Sequence, residues 1–135
     1  MGEYEIAYLL SEHINRMWEV IQFWTSVSFG LIALSHLGAQ RLNLGIVLII
    51  SFLYLMFSLY AVNIIAMNEA IVAGFMQDIE NLIAQEALSS DGILAVHEAK
   101  PSTFENLIIR LTSIGTFISA MAFLWFSFLR TRKKN

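Results

Sequence analysis

Three stretches of this chain carry no Asp, Glu, Lys or Arg: residues 20–40, 42–68 and 111–129, which are 21, 27 and 19 residues long. At about 1.5 Å of helix per residue, each can cross a hydrocarbon layer about 30 Å thick. The middle stretch gives the strongest signal, with fourteen Leu, Ile, Val or Phe residues between Leu44 and Met67. Each favours the bilayer centre by about 0.3–0.6 kcal/mol, a sum that Ser51, Ser58 and Asn63 do not offset. A soluble alternative would bury these blocks under polar chain, and there is too little of it. The sequence is 57% hydrophobic and 14% charged, with mean hydropathy +0.64, against about 25% charged residues in an ordinary soluble domain. The expected fold is an all-α integral membrane protein with three transmembrane helices, the first two extended outside the bilayer.

Charge placement orients that fold. All eleven acidic residues fall in two regions, Glu3 to Glu19 before the first span and Glu69 to Glu105 between the second and third. Five of the eight basic residues take the opposite alternation: Arg41 in the first loop, and Arg130, Arg132, Lys133 and Lys134 in the tail. Lys and Arg near span ends resist translocation, so these five are the topology anchors. They place the first loop and the C-terminus in the cytoplasm, and the N-terminus and long second loop outside. Arg16, Lys100 and Arg110 are exceptions on the outer side. The expected location is a bacterial inner membrane or another plasma membrane. Glu3, Glu5 and Glu12, and an apolar block that starts only near Val20, do not match a cleaved secretory signal, so the first span is expected to be retained. With no cysteine, disulfides and thiolate metal sites are excluded.

Helical periodicity continues beyond the spans. Residues 1–19 carry Ile6, Leu9, Leu10, His13, Ile14, Met17 and Trp18 at three- and four-residue spacing, which predicts a helical extension of the first span (20–40). A short turn, 41–43, leads to the second span, 44–67. Residues 68–88 form an acidic amphipathic helix with the stripe Ile71, Val72, Phe75, Ile79, Leu82 and Ile83. That stripe is the expected docking surface, for a partner or for the N-terminal extension. The helix either projects as a continuation of the second span or bends near Asn68 to lie on the membrane; its acidic polar face favours projection. Ser89 to Gly92 reads as a stop and turn, and 89–103 as a loop. Ser102 and Glu105 form a capping box for a third helix, 104–129, which contains the third span. The tail, 130–135, is basic.

Residues that carry chemistry are few. His36 is the one histidine within an uncharged stretch, and its place four residues before Arg41 makes it an interfacial polar group. His97 and Glu98 are adjacent, without the spacing of a helical zinc site. No phosphate loop or nucleophile elbow is present. The sequence therefore calls for no catalytic residue, cofactor, metal, nucleic acid or small-molecule substrate. The spans instead hold small and weakly polar residues at helix-contact spacing: Ser26 and Gly30 in the first; Thr112, Thr116 and Ala120, with Gly115 and Ser119, in the third. Asn63 is the most polar residue at depth in the second.

These features predict a small non-enzymatic membrane protein that acts by helix packing as a subunit, scaffold or regulator. Its expected partners are the lipid bilayer, further copies of itself or another membrane protein. Three spans, an outside N-terminus and a basic cytoplasmic tail also resemble the layout of phage holins. That resemblance is architectural and implies a membrane-permeabilising effector as the alternative. The acidic stretch between the second and third spans departs from it.

Overall fold

The computed structural model describes residues 2–85, 90–98 and 103–133. These form the helices α1 (Glu3–Leu37), α2 (Leu44–Ala84), α3 (Asp91–Glu98) and α4 (Thr103–Arg132), with a 3-10 turn at Ala39–Arg41. Among the described residues three helices are long and apolar enough to cross a membrane: α1, α2 and the part of α4 from Leu107 to Arg132. The fold is all-helical, and its α1 and α2 have 35 and 41 residues, more than the roughly 20 that a span requires.

The start and end of each long helix have local causes. Glu3 and Glu5 lie in the first turn of α1, where carboxylates offset the positive end of the helix dipole. At its other end the amide of Gly38 donates to the Leu34 carbonyl at 2.8 Å. A Cβ on residue 38 would sit 2.8 Å from that same carbonyl oxygen, so the close approach requires glycine. The chain then makes the 3-10 turn, and Asn43 caps α2 by accepting the Ile46 amide at its Oδ1, 2.9 Å. From there α2 continues without a break past Asn68, as a projecting helix requires. It ends at Ala84, and the expected continuation over 86–88 lies outside the described residues.

α1 and α2 pair as an antiparallel hairpin. His13 meets Asn68, Trp24 meets Ser58 and Ser28 meets Tyr54, so the paired numbers sum to 81 or 82 and one register holds along the whole length. On α2, the seam positions 47, 51, 54, 58, 61, 65, 68, 72, 75, 79 and 82 step alternately by four and three residues. All of them are buried or half-buried, the spacing that keeps one stripe facing a neighbour. α1 lies against both α2 and α4, and α4 joins through Ala120, Leu124 and Phe128.

Two apolar clusters result. One holds Trp24, Leu31, Val47, Tyr54, Ala61, Ala120, Leu124 and Phe128. The other, toward the N-terminus of α1, holds Ile6, Leu10, Ile79 and Ile93. The last of these comes from α3, which corrects the expected loop over 89–103. Gly92 and Asp91 are turn residues locally, but Ile93 is buried against the α1–α2 pair, and that burial outweighs the modest helix cost of one glycine. Ser102 lies outside the described residues, so the capping box does too; α4 itself begins at Thr103.

Removing a buried side chain from the second cluster should open that end alone. Leu10→Ala or Ile79→Ala is expected to cost about 2–5 kcal/mol locally, read as faster amide hydrogen exchange over 6–14 and 72–83. Unchanged exchange in both variants would show that this cluster does not hold the helices together.

Candidate functional site: the helix seam and the outward small-residue faces

The seam is built of small and polar residues along the stretch that reads as membrane-spanning. Ser28, Ser35 and Ser58 are buried, and each hydroxyl has a hydrogen-bond partner. Ser28 donates to the Trp24 carbonyl at 2.8 Å, which uses its single proton, so the Tyr54 hydroxyl donates to Ser28 Oγ at 2.7 Å. Ser35 donates to the Leu31 carbonyl. Ser58 accepts the indole N–H of Trp24 at 3.1 Å, and Ser51 accepts that of Trp125 at 3.2 Å. The Tyr54 ring stacks on Phe117 of α4, with centroids 5.4 Å apart. Such bonds between membrane helices average about 0.6 kcal/mol each, and the small side chains let the backbones approach.

His13 closes the ladder. Asn68 donates from Nδ2 to the Ile64 carbonyl, so its Oδ1 is the acceptor and His13 Nδ1 the donor at 2.7 Å. On the next element, His97 Nε2 lies 3.5 Å from Glu80 Oε1, bringing α3 against α2 where Ile93 is buried. His36 is exposed, with its ring 6.4 Å from that of Phe123.

The small residues singled out by spacing have a different placement. Ala120 is fully buried and Thr116 is half-buried, with its hydroxyl turned back to the Thr112 carbonyl. Ser26, Gly30, Asn63, Thr112, Gly115 and Ser119 are all exposed. At roughly 100° per residue, Ser26 and Gly30 lie opposite the Trp24–Ser28–Leu31–Ser35 stripe, and Gly115 and Ser119 lie opposite Ala120 and Leu124. The Ser26 hydroxyl donates to Gln22, and Asn63 Nδ2 approaches Met67 Sδ on its own helix. A Cβ added at Gly30 or Gly115 would meet nothing within 4 Å. Packing inside the chain thus belongs chiefly to Ser28, Ser35, Ser51, Ser58, Ala61 and Ala120; of the rows singled out by spacing, Thr116 and Ala120 turn inward, whereas Ser26 with Gly30 and Gly115 with Ser119 face away.

The docking stripe is also relocated. Ile79 is fully buried, Val72, Phe75, Leu82 and Ile83 are half-buried, and Ile71 is exposed. Their cover is intramolecular, from Ile6 and Leu10 of α1 and Ile93 of α3, because the N-terminal extension carries the complementary stripe. Arg41, Arg130, Arg132 and Lys133 are exposed at the end where the turn packs on α4, and Lys134 lies outside the described residues.

The seam was readable in one signal that small-residue rows do not carry: the four-three alternation through Ser51, Tyr54, Ser58 and Ala61. No protein family, curated protein or solved structure matches the chain.

In mixed micelles, a double-mutant cycle on Ser28→Ala and Tyr54→Phe should give a coupling of about 0.6 kcal/mol, within the range of about 0–1.7 measured for membrane helices. Asn63→Ala should change stability by less than about 0.5 kcal/mol. A larger loss at Asn63 than at Ser28 would invert the assignment of faces.

Proposed function

We propose that this chain is a non-enzymatic integral membrane subunit that acts by helix packing and self-associates through its outward small-residue faces. The observation that carries the reading is the placement of Gly30 with Ser26, and of Gly115 with Ser119, on open helix faces with no partner among the described residues. Small residues at four-residue spacing on a free face permit close approach of a second backbone, the chief source of association when lipid and side chains are equally apolar. The internal seam already has its own small residues, so the outward rows are not needed for folding.

The membrane reading has independent support. Phe52, Leu53, Leu59, Ile114 and Ile118 are each more than half exposed, a girdle that water would drive into contact and that hydrocarbon solvates. Loop and tail arginines lie together at the turn end, opposite the acidic outer ends of α1 and α2, consistent with a cytoplasmic C-terminus and an outside N-terminus. In that arrangement the outer ends of α1 and α2, with α3, form a small acidic head above the bilayer. A scaffold or regulatory subunit would present this head to other proteins while its spans assemble.

Light scattering of the chain in nanodiscs, corrected for lipid, should give a defined oligomer. Gly30→Ile and Gly115→Ile should each raise the dissociation constant at least tenfold, about 1.4 kcal/mol, while the monomer stays folded, since both positions are exposed and a Cβ there meets nothing within 4 Å. A monomeric wild type would sink the self-association. Because the natural chain has no cysteine, single cysteines at Tyr4 and Lys133 give clean topology labels. A membrane-impermeant maleimide added to intact cells should modify the first and not the second. Collapse of membrane potential on expression, abolished by the same glycine variants, would make the assembly a pore.

A further inference from the structure

A groove at the turn end of the bundle holds the chemistry of a ligand site. It lies between the C-terminal ends of α1 and α4 and the 3-10 turn, and its volume is about 830 Å³. Its polar side is formed by His36, Gln40 and Arg130, and its apolar wall by Phe123 and Phe126. Thr131 also lines it, but its hydroxyl is used on the Ser127 carbonyl. Among the described residues no carboxylate pairs with Arg130, and the sequence has no Asp or Glu from Val20 to Asn68 or after Glu105. Every charged side chain in the segments that meet at this end is therefore basic.

We propose that this groove binds one anionic phospholipid, with its phosphate on Arg130 and Gln40 and its glycerol and upper acyl chains along Phe123 and Phe126. The inference rests on the membrane reading above. A planar guanidinium presents a fork of N–H donors that matches phosphate oxygens, and the Gln40 amide and His36 ring can add further donors. The apolar wall calls for an amphipathic ligand rather than a free ion. A zwitterionic lipid would bring a cation to a groove where, among the described residues, no carboxylate side chain receives it, so an anionic headgroup such as phosphatidylglycerol is selected. Arg132 is not part of the site: its guanidinium lies over the Phe128 ring, 5.3 Å from the centroid.

The test is native mass spectrometry of the full chain in mild detergent, equilibrated with equal amounts of phosphatidylglycerol and phosphatidylcholine. Wild type should retain one phosphatidylglycerol in clear preference. Arg130→Gln should lower that retention about fivefold and Gln40→Ala should lower it further, while Arg132→Gln leaves it unchanged. Equal losses in Arg130→Gln and Arg132→Gln would show diffuse attraction by the tail and overturn the groove as a site. So would absence of a preference, or displacement of the lipid by millimolar inorganic phosphate. Alkaline carbonate extraction of native membranes separates the two levels of failure. A chain that carbonate releases overturns the membrane reading and this site with it, whereas a chain that resists carbonate but shows no lipid preference overturns the site alone.

Discussion

Everything in this structure depends on one antiparallel register between α1 and α2, held from Ser35 beside the turn to Ile6 near the N-terminus. The register is set at the turn, where Gly38 lets the chain close on the Leu34 carbonyl and Asn43 starts α2. Once it is set, alternate steps of four and three residues bring every seam residue to the same line. A slip of one residue would part Ser28 from Tyr54 and Trp24 from Ser58, leaving the Tyr54 hydroxyl and the Trp24 indole N–H in an apolar setting without partners, at a cost of several kcal/mol.

The same line crosses two solvents in the proposed arrangement, and its composition changes accordingly. Along the stretch that reads as a membrane span it carries serine, alanine, tryptophan and tyrosine among its aliphatic residues, where close approach and hydrogen bonds hold helices that lipid does not push together. Toward the N-terminus it becomes Ile6, Leu10, Phe75 and Ile79, where burial of apolar surface supplies the attraction. His13 and Asn68 stand where the two regimes meet. The hairpin is thus one element held by two different forces, with α4 added on the seam side of α1 and α3 capping the N-terminal end.

Much of this was legible in the sequence, for identifiable reasons. Uncharged length is a strong signal for a span-length helix, and the acidic polar face of 68–88 favoured a projecting α2 over a bend near Asn68. The stripe on 68–88 was visible as well, and so was the matching stripe near Ile6. What covers a stripe is a tertiary fact, however, and choosing between a separate protein and the chain's own α1 required the structure. α3 was hidden because Asp91 and Gly92 are turn residues and one buried isoleucine decided against them. Which small residues face inward was hidden for another reason: the spans are apolar all round, so Gly30 and Ser28 look equally suited to an interface. Only the alternation that joins serines to tyrosine and tryptophan distinguishes the inner face. The groove beside Arg130 combines residues far apart in sequence, His36 through Gln40 with Phe123 through Thr131, and no local pattern announces it.

The short turn also dictates an order of events. Contacts along the hairpin link residues progressively farther apart in sequence, 26 apart for Ser28 and Tyr54, 34 for Trp24 and Ser58, 55 for His13 and Asn68. Once the turn has closed, each contact places the next pair within reach, so the entropic cost of each further loop closure is small. The hairpin therefore zips from the turn outward, and it frays in the reverse direction. The end bearing Ile6, Ile79 and α3 is the last to close and the first to open, so the most readily remodelled part of the molecule is its acidic head.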